Sequence, residues 1–457
     1  NDATQNIGNG SYSTADPYVK KVWDGRYTGI RMCNELLENI DRVPDLDPEL
    51  KKRYIGEAKV LRAYNYYELY TKFGDVPYTT KVLSIKESMS IARTAKATVI
   101  ANVLADLDEV INGNYLPTSY DADNKGRITR WAAMAIKAKI YLFEGNWTQV
   151  KNITSTIMTE GGFKLFGSYA GLFEIANEYN SEVILDAQYR PTSREHQMMY
   201  VFLPPTLGGY SQLSPLQELV DSYIMLDGKT IKETGTSFDE SHPYANRDPR
   251  LKATVMYTGN SYTLADGTEV VINCEKGEGK DGYGVGSDCS ATGYYIKKYW
   301  DNTYRATLYS GLNPILIRYA DILLMNAEAL AELGELDKTA WDATIKPIRD
   351  RAGFTLASAL EFPEGASKDK LIEIVRNERR SELALEGHRH KDIIRWRIAD
   401  NVLNGWCHGL KTNDVVGTDD GYVRVENRTF NANKHYLWPI PQAERDLNGN
   451  LEQNPNW

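Results

Sequence analysis

The sequence predicts a mainly α-helical protein, in which helical hairpins form a scaffold for a loop-rich insertion carrying short strands. Three observations predict it. Apolar residues recur at three- and four-residue spacing through the first and last thirds of the 457 residues. Small residues cluster where paired helices would touch. Between about Gly161 and Leu312 that periodicity gives way to Gly, Pro, Ser and Tyr, with only brief alternating runs.

Taken in order, Asp16-Pro17 reads as an N-cap followed by proline at the first helical position. Val19, Trp23, Tyr27, Ile30, Leu37 and Ile40 then make one apolar face, which Pro44 and Pro48 interrupt. A second helix is expected from about Glu49 to Phe73, with Ile55, Ala58, Leu61, Leu69 and Phe73 inward and Gly74 as a left-handed cap. Further patterns cover Val99 to Ile111 and Arg130 to Glu144, and Gly145-Asn146 turns into a helix from Trp147 to Met158. Ala132, Ala135, Ala138 and Tyr141 before Gly145 suit a tetratricopeptide-like hairpin, as do Tyr319, Ala320, Leu323, Ala327 and Ala331 before Gly334. A plain antiparallel bundle fits the same spacing. In the insertion, Glu182 to Gln188 and Lys252 to Tyr257 alternate like strands. Helices return at about Pro314, continue to about Trp396 and leave an irregular tail. The expected division is 1–160, 161–312 and 313–457 within one integrated unit, with the insertion as the ligand side.

Charge and composition exclude several classes. Lys and Arg total 53 against 62 Asp and Glu, a net charge of −9, which argues against a nucleic-acid partner. No run of 18 apolar residues exists, so no membrane-spanning helix is expected. The opening Asn1-Asp2-Ala3-Thr4 is neither basic nor apolar, so no signal peptide is expected in the sequence as given, one already removed being the alternative. Of four cysteines, Cys33 and Cys407 read as buried thiols. Cys274 and Cys289 flank a Gly-rich stretch, where a disulfide would close a loop of about 15 residues and contribute ~3 kcal/mol. That bridge would imply an oxidising compartment; free thiols are the equal alternative.

Catalytic templates fail. The run Gly277 to Gly282 fits GxGxxG without a following helix, and Lys280 precedes Asp281 rather than Ser or Thr. Gly209-Tyr210-Ser211-Gln212 continues to Leu213, which breaks a nucleophile elbow. Asp121, Asp123 and Gly126 begin like a calcium loop, but Lys125 and Ala132 occupy ligand positions. No cofactor or metal is expected. A glycosidase needs two carboxylates across a cleft, and the acids single out no such pair.

Two stretches are more specific. Arg376-Asn377-Glu378-Arg379-Arg380 through Glu386-Gly387-His388-Arg389 to Asp392 and Arg395-Trp396 spaces acids and bases so as to brace a helix against its neighbours. Trp438-Pro439-Ile440-Pro441 through Asn450 to Gln453-Asn454-Pro455 suits an extended tail with fixed turns. Together with Glu57 to Tyr64, Gly74 to Pro77 and Arg318-Tyr319-Ala320-Asp321 through Glu328-Ala329, they resemble the SusD/RagB family of glycan-binding outer-membrane lipoproteins of Bacteroidetes. The resemblance implies a non-enzymatic protein that captures an oligosaccharide at the cell surface and passes it to a SusC-like TonB-dependent transporter. Family members begin with a lipid-bearing Cys ahead of the helix matching Asp16 to Ile40. That beginning is absent here, so the chain is expected to be truncated or to start unusually, and outer-membrane anchorage is implied by the family alone. A glycoside hydrolase on a helical scaffold, a peptide-binding member of the family and a cytosolic adaptor are the alternatives.

Thirty Tyr and nine Trp against ten Phe suit ring faces that carry a polar handle, as sugar stacking requires. The densest cluster is Tyr283, Tyr294, Tyr295, Tyr299, Trp300, Tyr304 and Tyr309, mixed with Asp301, Asn302 and Arg305. Strand alternation would put Tyr295 and Tyr299 on one face and Tyr294 and Trp300 on the other. Trp300 and Tyr304 are the leading glycan-binding candidates, with Tyr295, Tyr283, Asn302 and Arg305 beside them. The competing reading is that this cluster packs the insertion onto the helices. Asn6, Asn9 and Tyr12 form a second candidate, and Tyr210 and Gln212 a third.

Overall fold

The computed structural model describes residues 3–303 and 307–457. The chain forms two compact units: Asn1–Ile153 with His390–Gly405 and Arg428–Trp457, and Thr154–Arg389 with Trp406–Asn427. The stretch 161–312 lies wholly in the second.

In the first unit, helices Pro17–Asn39, Pro48–Phe73, Lys96–Asn112 and Arg130–Phe143 pack in sequence order. Local chemistry sets their ends. The Asp16 carboxylate accepts from the Tyr18 and Val19 amides, and Gly74 stops the second helix at φ 71°. Leu61, expected inward, is exposed. Arg62 points in instead, donating to Asn34 Oδ1 at 2.9 Å and pairing with Asp106 at 2.6 Å. This helix is buried against two neighbours, so no single apolar stripe marks its inner side. The Pro-rich tail is tied down by side-chain amides: Asn454 donates to the Phe73 and Trp438 carbonyls, and Asn448 to those of Ser88 and Ile91.

In the second unit, helices Tyr319–Leu333, Lys338–Ala352 and Lys368–Glu382 share a core of Leu323, Trp341, Ile345 and Val375. The helical region does not begin at Pro314. Ile315–Arg318 is a strand paired antiparallel with Val183–Asp186, as its β-branched run favours, and the helix starts at Tyr319. Lys252 to Tyr257 is likewise split. Asp248-Pro249 caps a short helix Pro249–Thr254, and only Val255–Met256 is strand, paired with Tyr295–Ile296. The tail beyond Trp396 is not wholly irregular either: Tyr422–Arg428 lies between Gly405–Lys411 and Thr418–Asp419 in a small sheet. Asp420 and Gly421 turn that hairpin at φ 49° and 86°, the two positive values a type I′ turn needs.

All four cysteines are free. Backbone bonds close the Gly-rich loop instead: Tyr283 N–H donates to the Cys274 carbonyl at 3.1 Å and Gly277 N–H to the Tyr283 carbonyl at 3.0 Å. Cys274 is sealed in the core, while the Cys289 thiol reaches the Lys280 carbonyl.

The charged stretch from Arg376 braces the unit from inside. Arg250, Arg318, Arg349, Arg351 and Lys298 face Asp248, Glu182, Glu378, Glu382 and Glu386, five cations against five carboxylates, with nearly every member buried. Arg318 alone pairs with Glu182 at 2.7 Å, Glu382 at 2.6 Å and Glu386 at 2.7 Å. These contacts join the strand at 315–318 to the helix at 368–382. They leave no face for a ligand.

Candidate functional site

An open shelf in the second unit is assembled from two segments more than a hundred residues apart in sequence. Backbone bonds between His196 and Ser310 join them, 2.9 Å one way and 3.0 Å the other. Gly311 permits this close approach, since a Cβ there would lie 2.2 Å from the Pro191 nitrogen. Both ring nitrogens of His196 are engaged. Nδ1 accepts from the Met198 amide at 3.3 Å, so Nε2 donates to the Leu312 carbonyl at 2.8 Å. Above this frame the ring of Tyr189 meets His196 edge-on at 4.8 Å, and the Arg194 guanidinium lies 5.4 Å over Tyr189. Exposed Gln197 donates to the hydroxyl of exposed Tyr309 at 2.8 Å. Arg190 and Arg194 are exposed and make no ion pair among the described residues. Their turn closes through Arg190 N–H to the Arg194 carbonyl at 2.8 Å and holds Thr192 at φ 69°, a strained value for a β-branched residue.

The sequence candidates distribute unevenly around this shelf. Trp300 is half-buried at the rim of the core cluster, 5.1 Å from the Tyr262 ring, and its indole N–H donates to the Thr263 carbonyl. Asn302 is half-buried beside Asp301, whose carboxylate accepts from the Thr303 amide and from Ser310 Oγ of the shelf. Tyr304 and Arg305 lie outside the described residues. Tyr283 packs against the core at the mouth of the Gly-rich loop. Tyr295 is 0% exposed, and its hydroxyl donates to the Asp281 carbonyl at 2.6 Å, so it pins that loop from beneath. The expected division of tyrosines between two faces does not occur. The strand is two residues long, Tyr294 and Tyr299 are buried as well, and Tyr299 sits at φ 62°. Asn9 and Tyr12 belong to the first unit, where Asn9 accepts from the Ser11 amide and buried Tyr12 packs on His435 and Trp457. Tyr210 stacks on Tyr200 at 4.2 Å and keeps one side exposed.

Tyr189, Arg190, Arg194 and Gln197 were not singled out by sequence. Tyr309 was part of the aromatic cluster. The available signal was Arg190-Pro191-Thr192, a turn sequence that sets an Arg beside a Tyr.

Beneath the shelf lie two carboxyl groups of unusual character. Burial pushes Asp186 up to about 6, although Asn313 donates to it at 3.1 Å. Glu178 is also raised by burial and accepts from the Asn313 amide at 2.7 Å. Among the described residues no group of three His, Cys, Asp or Glu is arranged to hold a metal ion.

Comparison with known proteins places this architecture. Residues 172–457 match the model of the SusD family, and residues 2–142 match a second model described as starch-binding associating with outer membrane. The chain belongs to the SusD/RagB family. Among SusD-like proteins of known structure, a carbohydrate-binding protein from Bacteroides fragilis superposes with a TM-score of 0.89 at 29% identity, covering 99% of this chain and 89% of that one. A second SusD-like protein from Bacteroides fragilis gives 0.84 at 28% identity, with the same coverage. SusD-like protein P25 of Formosa agariphila is 28% identical over 409 residues, 84% of this chain and 71% of the relative. The SusD-like fold, mainly helical with few short strands, is therefore the one expected from sequence. No described helix is long and apolar enough to cross a membrane.

Proposed function

We propose that this protein captures an oligosaccharide at the outer-membrane surface without cleaving it and passes it to a SusC-like TonB-dependent transporter. The observation that carries the reading is the shelf. Its exposed groups are the Tyr309 phenol, two guanidinium groups and a carboxamide, with the half-buried Tyr189 ring beside them, groups that stack on sugar C–H faces and donate to hydroxyls. Two findings support it: the B. fragilis relative is a carbohydrate-binding protein, and the model matched by residues 2–142 describes starch-binding proteins associating with the outer membrane. Lipid anchorage belongs to the same proposal. Trp300, Asn302, Tyr304 and Arg305, which precede Tyr309 in sequence, remain proposed ligand contacts.

The test is fluorescence titration of the intact chain with neutral oligosaccharides, with each mixture analysed for cleavage. Saturable binding without products, weakened in Tyr309→Ala and Trp300→Ala, is expected. Asp186 is the observation that favours the alternative, a hydrolase, because a carboxyl near 6 has the character of a general acid. Product formation abolished by Asp186→Asn would replace capture with catalysis.

A further inference from the structure

The first unit contains a cavity of about 620 Å³ that the shelf does not involve, within the ~300–1,000 Å³ typical of small-molecule sites. It is walled by the helix at 48–73, the start of the helix at 96–112, the segment around Arg395 and the C-terminal tail. Four cations line it against two acids, Asp75 and Glu452. Two of the cations are neutralised locally, Lys96 by Glu144 at 2.9 Å and Arg395 by Asp392 at 2.9 Å. The other two form no ion pair among the described residues, although Asp75 and Glu452 attract Arg93 electrostatically. Arg93 makes no ion pair among the described residues; its donors are fixed on the carbonyls of Phe73, Asp75 and Glu452 and on Asn454 Oδ1. Its charge is thus held rigidly in the wall. Arg397 is exposed and forms no ion pair among the described residues, and its guanidinium lies 4.1 Å over the Tyr436 ring, an arrangement that leaves its donors open.

Two further features point to a ligand. Tyr70 lines the cavity and is 1% exposed, yet its hydroxyl has no hydrogen-bond partner among the described residues, an arrangement that costs stability unless something else fills the role. Arg397 sits at φ 58°, a backbone conformation that Asn or Gly adopts more easily than Arg. The strain is kept together with a guanidinium that no carboxylate among the described residues pairs with.

We propose that this cavity binds an anionic sugar unit, with its carboxylate or sulfate on Arg397, the Tyr70 hydroxyl donating to it or to a ring substituent, and the Tyr436 ring beside the sugar. That the anion is carried on a sugar rests on the carbohydrate reading above; the selectivity for charge does not. The site's preference is opposite to what the net charge of −9 suggests, because a local uncompensated guanidinium outweighs the distant field of a screened surface.

The experiment is calorimetric titration of the intact chain with glucuronate, galactose 6-sulfate, glucose, galactose and inorganic sulfate. The expected result is that one or both acidic sugars bind about tenfold or more tighter than their neutral counterparts and than inorganic sulfate, as one charge-assisted hydrogen bond supplies. Which of the two binds tells carboxylate from sulfate. Arg397→Asn removes the guanidinium while easing the backbone, so it weakens acidic-sugar binding about tenfold with Tm unchanged or raised. Tyr70→Phe weakens it as well and raises Tm, since an unpartnered buried hydroxyl is lost. Trp300→Ala and Tyr309→Ala leave it unaltered, so failure of the shelf and failure of this site are read separately. Absence of binding at ~10 mM, equal binding of acidic and neutral sugars, inorganic sulfate binding as tightly as the sugars, or full affinity in Arg397→Asn would overturn the proposal.

Discussion

The Arg318 cluster and the Tyr189–Tyr309 shelf lie in the same unit and both are built on guanidinium groups, but they use them in opposite ways. Arg318 is 1% exposed and shared among three carboxylates. Arg190 and Arg194 are exposed, Arg194 over the Tyr189 ring, and neither has a carboxylate partner among the described residues. In the first setting the charge is satisfied before any ligand arrives, and its loss would unbalance a buried network. In the second the donors face water, which a hydroxyl-rich ligand can replace at little cost. The difference teaches that an Arg-rich segment in this family member is informative about function only once its carboxylates have been counted. The conspicuous 376–389 segment is bracing, whereas the inconspicuous 189–197 turn is the candidate for contact.

That contrast can be broken by experiment. The largest effect is expected for Arg318→Met, which leaves Glu182, Glu382 and Glu386 short of a partner and costs about 3–5 kcal/mol by chemical denaturation. A loss under about 1 kcal/mol would show that the cluster is no brace. Next comes Asp186→Asn. A carboxyl raised by burial binds its proton more tightly folded than unfolded, so its contribution is favourable below about 4 and is lost as pH rises through about 6. The Asn variant should therefore gain up to about 3 kcal/mol over wild type at pH 7 and nothing near pH 3. The brace carboxylates run the other way. Arg351, Arg318 and Arg250 hold Glu382 far below its ordinary range despite burial, so its stabilisation is present at neutral pH and fades as pH falls below about 4. Thermal melts from pH 3 to pH 7 on both proteins check the two signs together.

Smaller effects sharpen the shelf. Tyr309→Ala should cost about 1–3 kcal/mol of glycan affinity, on the scale of ring stacking, with Tm unchanged. Arg194→Ala should cost about 0.5–1 kcal/mol, the worth of an exposed cation over a ring. If Arg194→Ala lowers Tm as Arg318→Met does, the two regions do not differ in the way described.

What was legible in the sequence is what is encoded locally. Asp16-Pro17 and Gly74 marked helix ends through one residue's own chemistry; Asp16 caps as read, and Gly74 ends its helix at φ 71° but with ψ −120°, outside the left-handed helical region expected of it. The Asp420-Gly421 turn was equally local, yet its strands are short and mixed in polarity, so the hairpin passed as irregular tail. Burial was the weaker inference. Density of aromatics in 283–309 cannot separate Tyr295, which pins a loop from below, from Tyr309, which faces solvent, because adjacent positions differ only in tertiary surroundings. The shelf itself was illegible for a topological reason: Tyr189 and Tyr309 meet through a backbone bridge at His196–Ser310, and no local pattern announces a pairing over that separation.

The central claim is that ligand contact resides in the open shelf and stability in the closed brace. Parallel measurement of oligosaccharide affinity and Tm in Tyr309→Ala, with products assayed in the same tubes, tests it most directly. Affinity reduced about fivefold or more, Tm unchanged and no cleavage are the predicted results. Unaltered affinity for a glycan that wild type binds, or cleavage of that glycan, would contradict it.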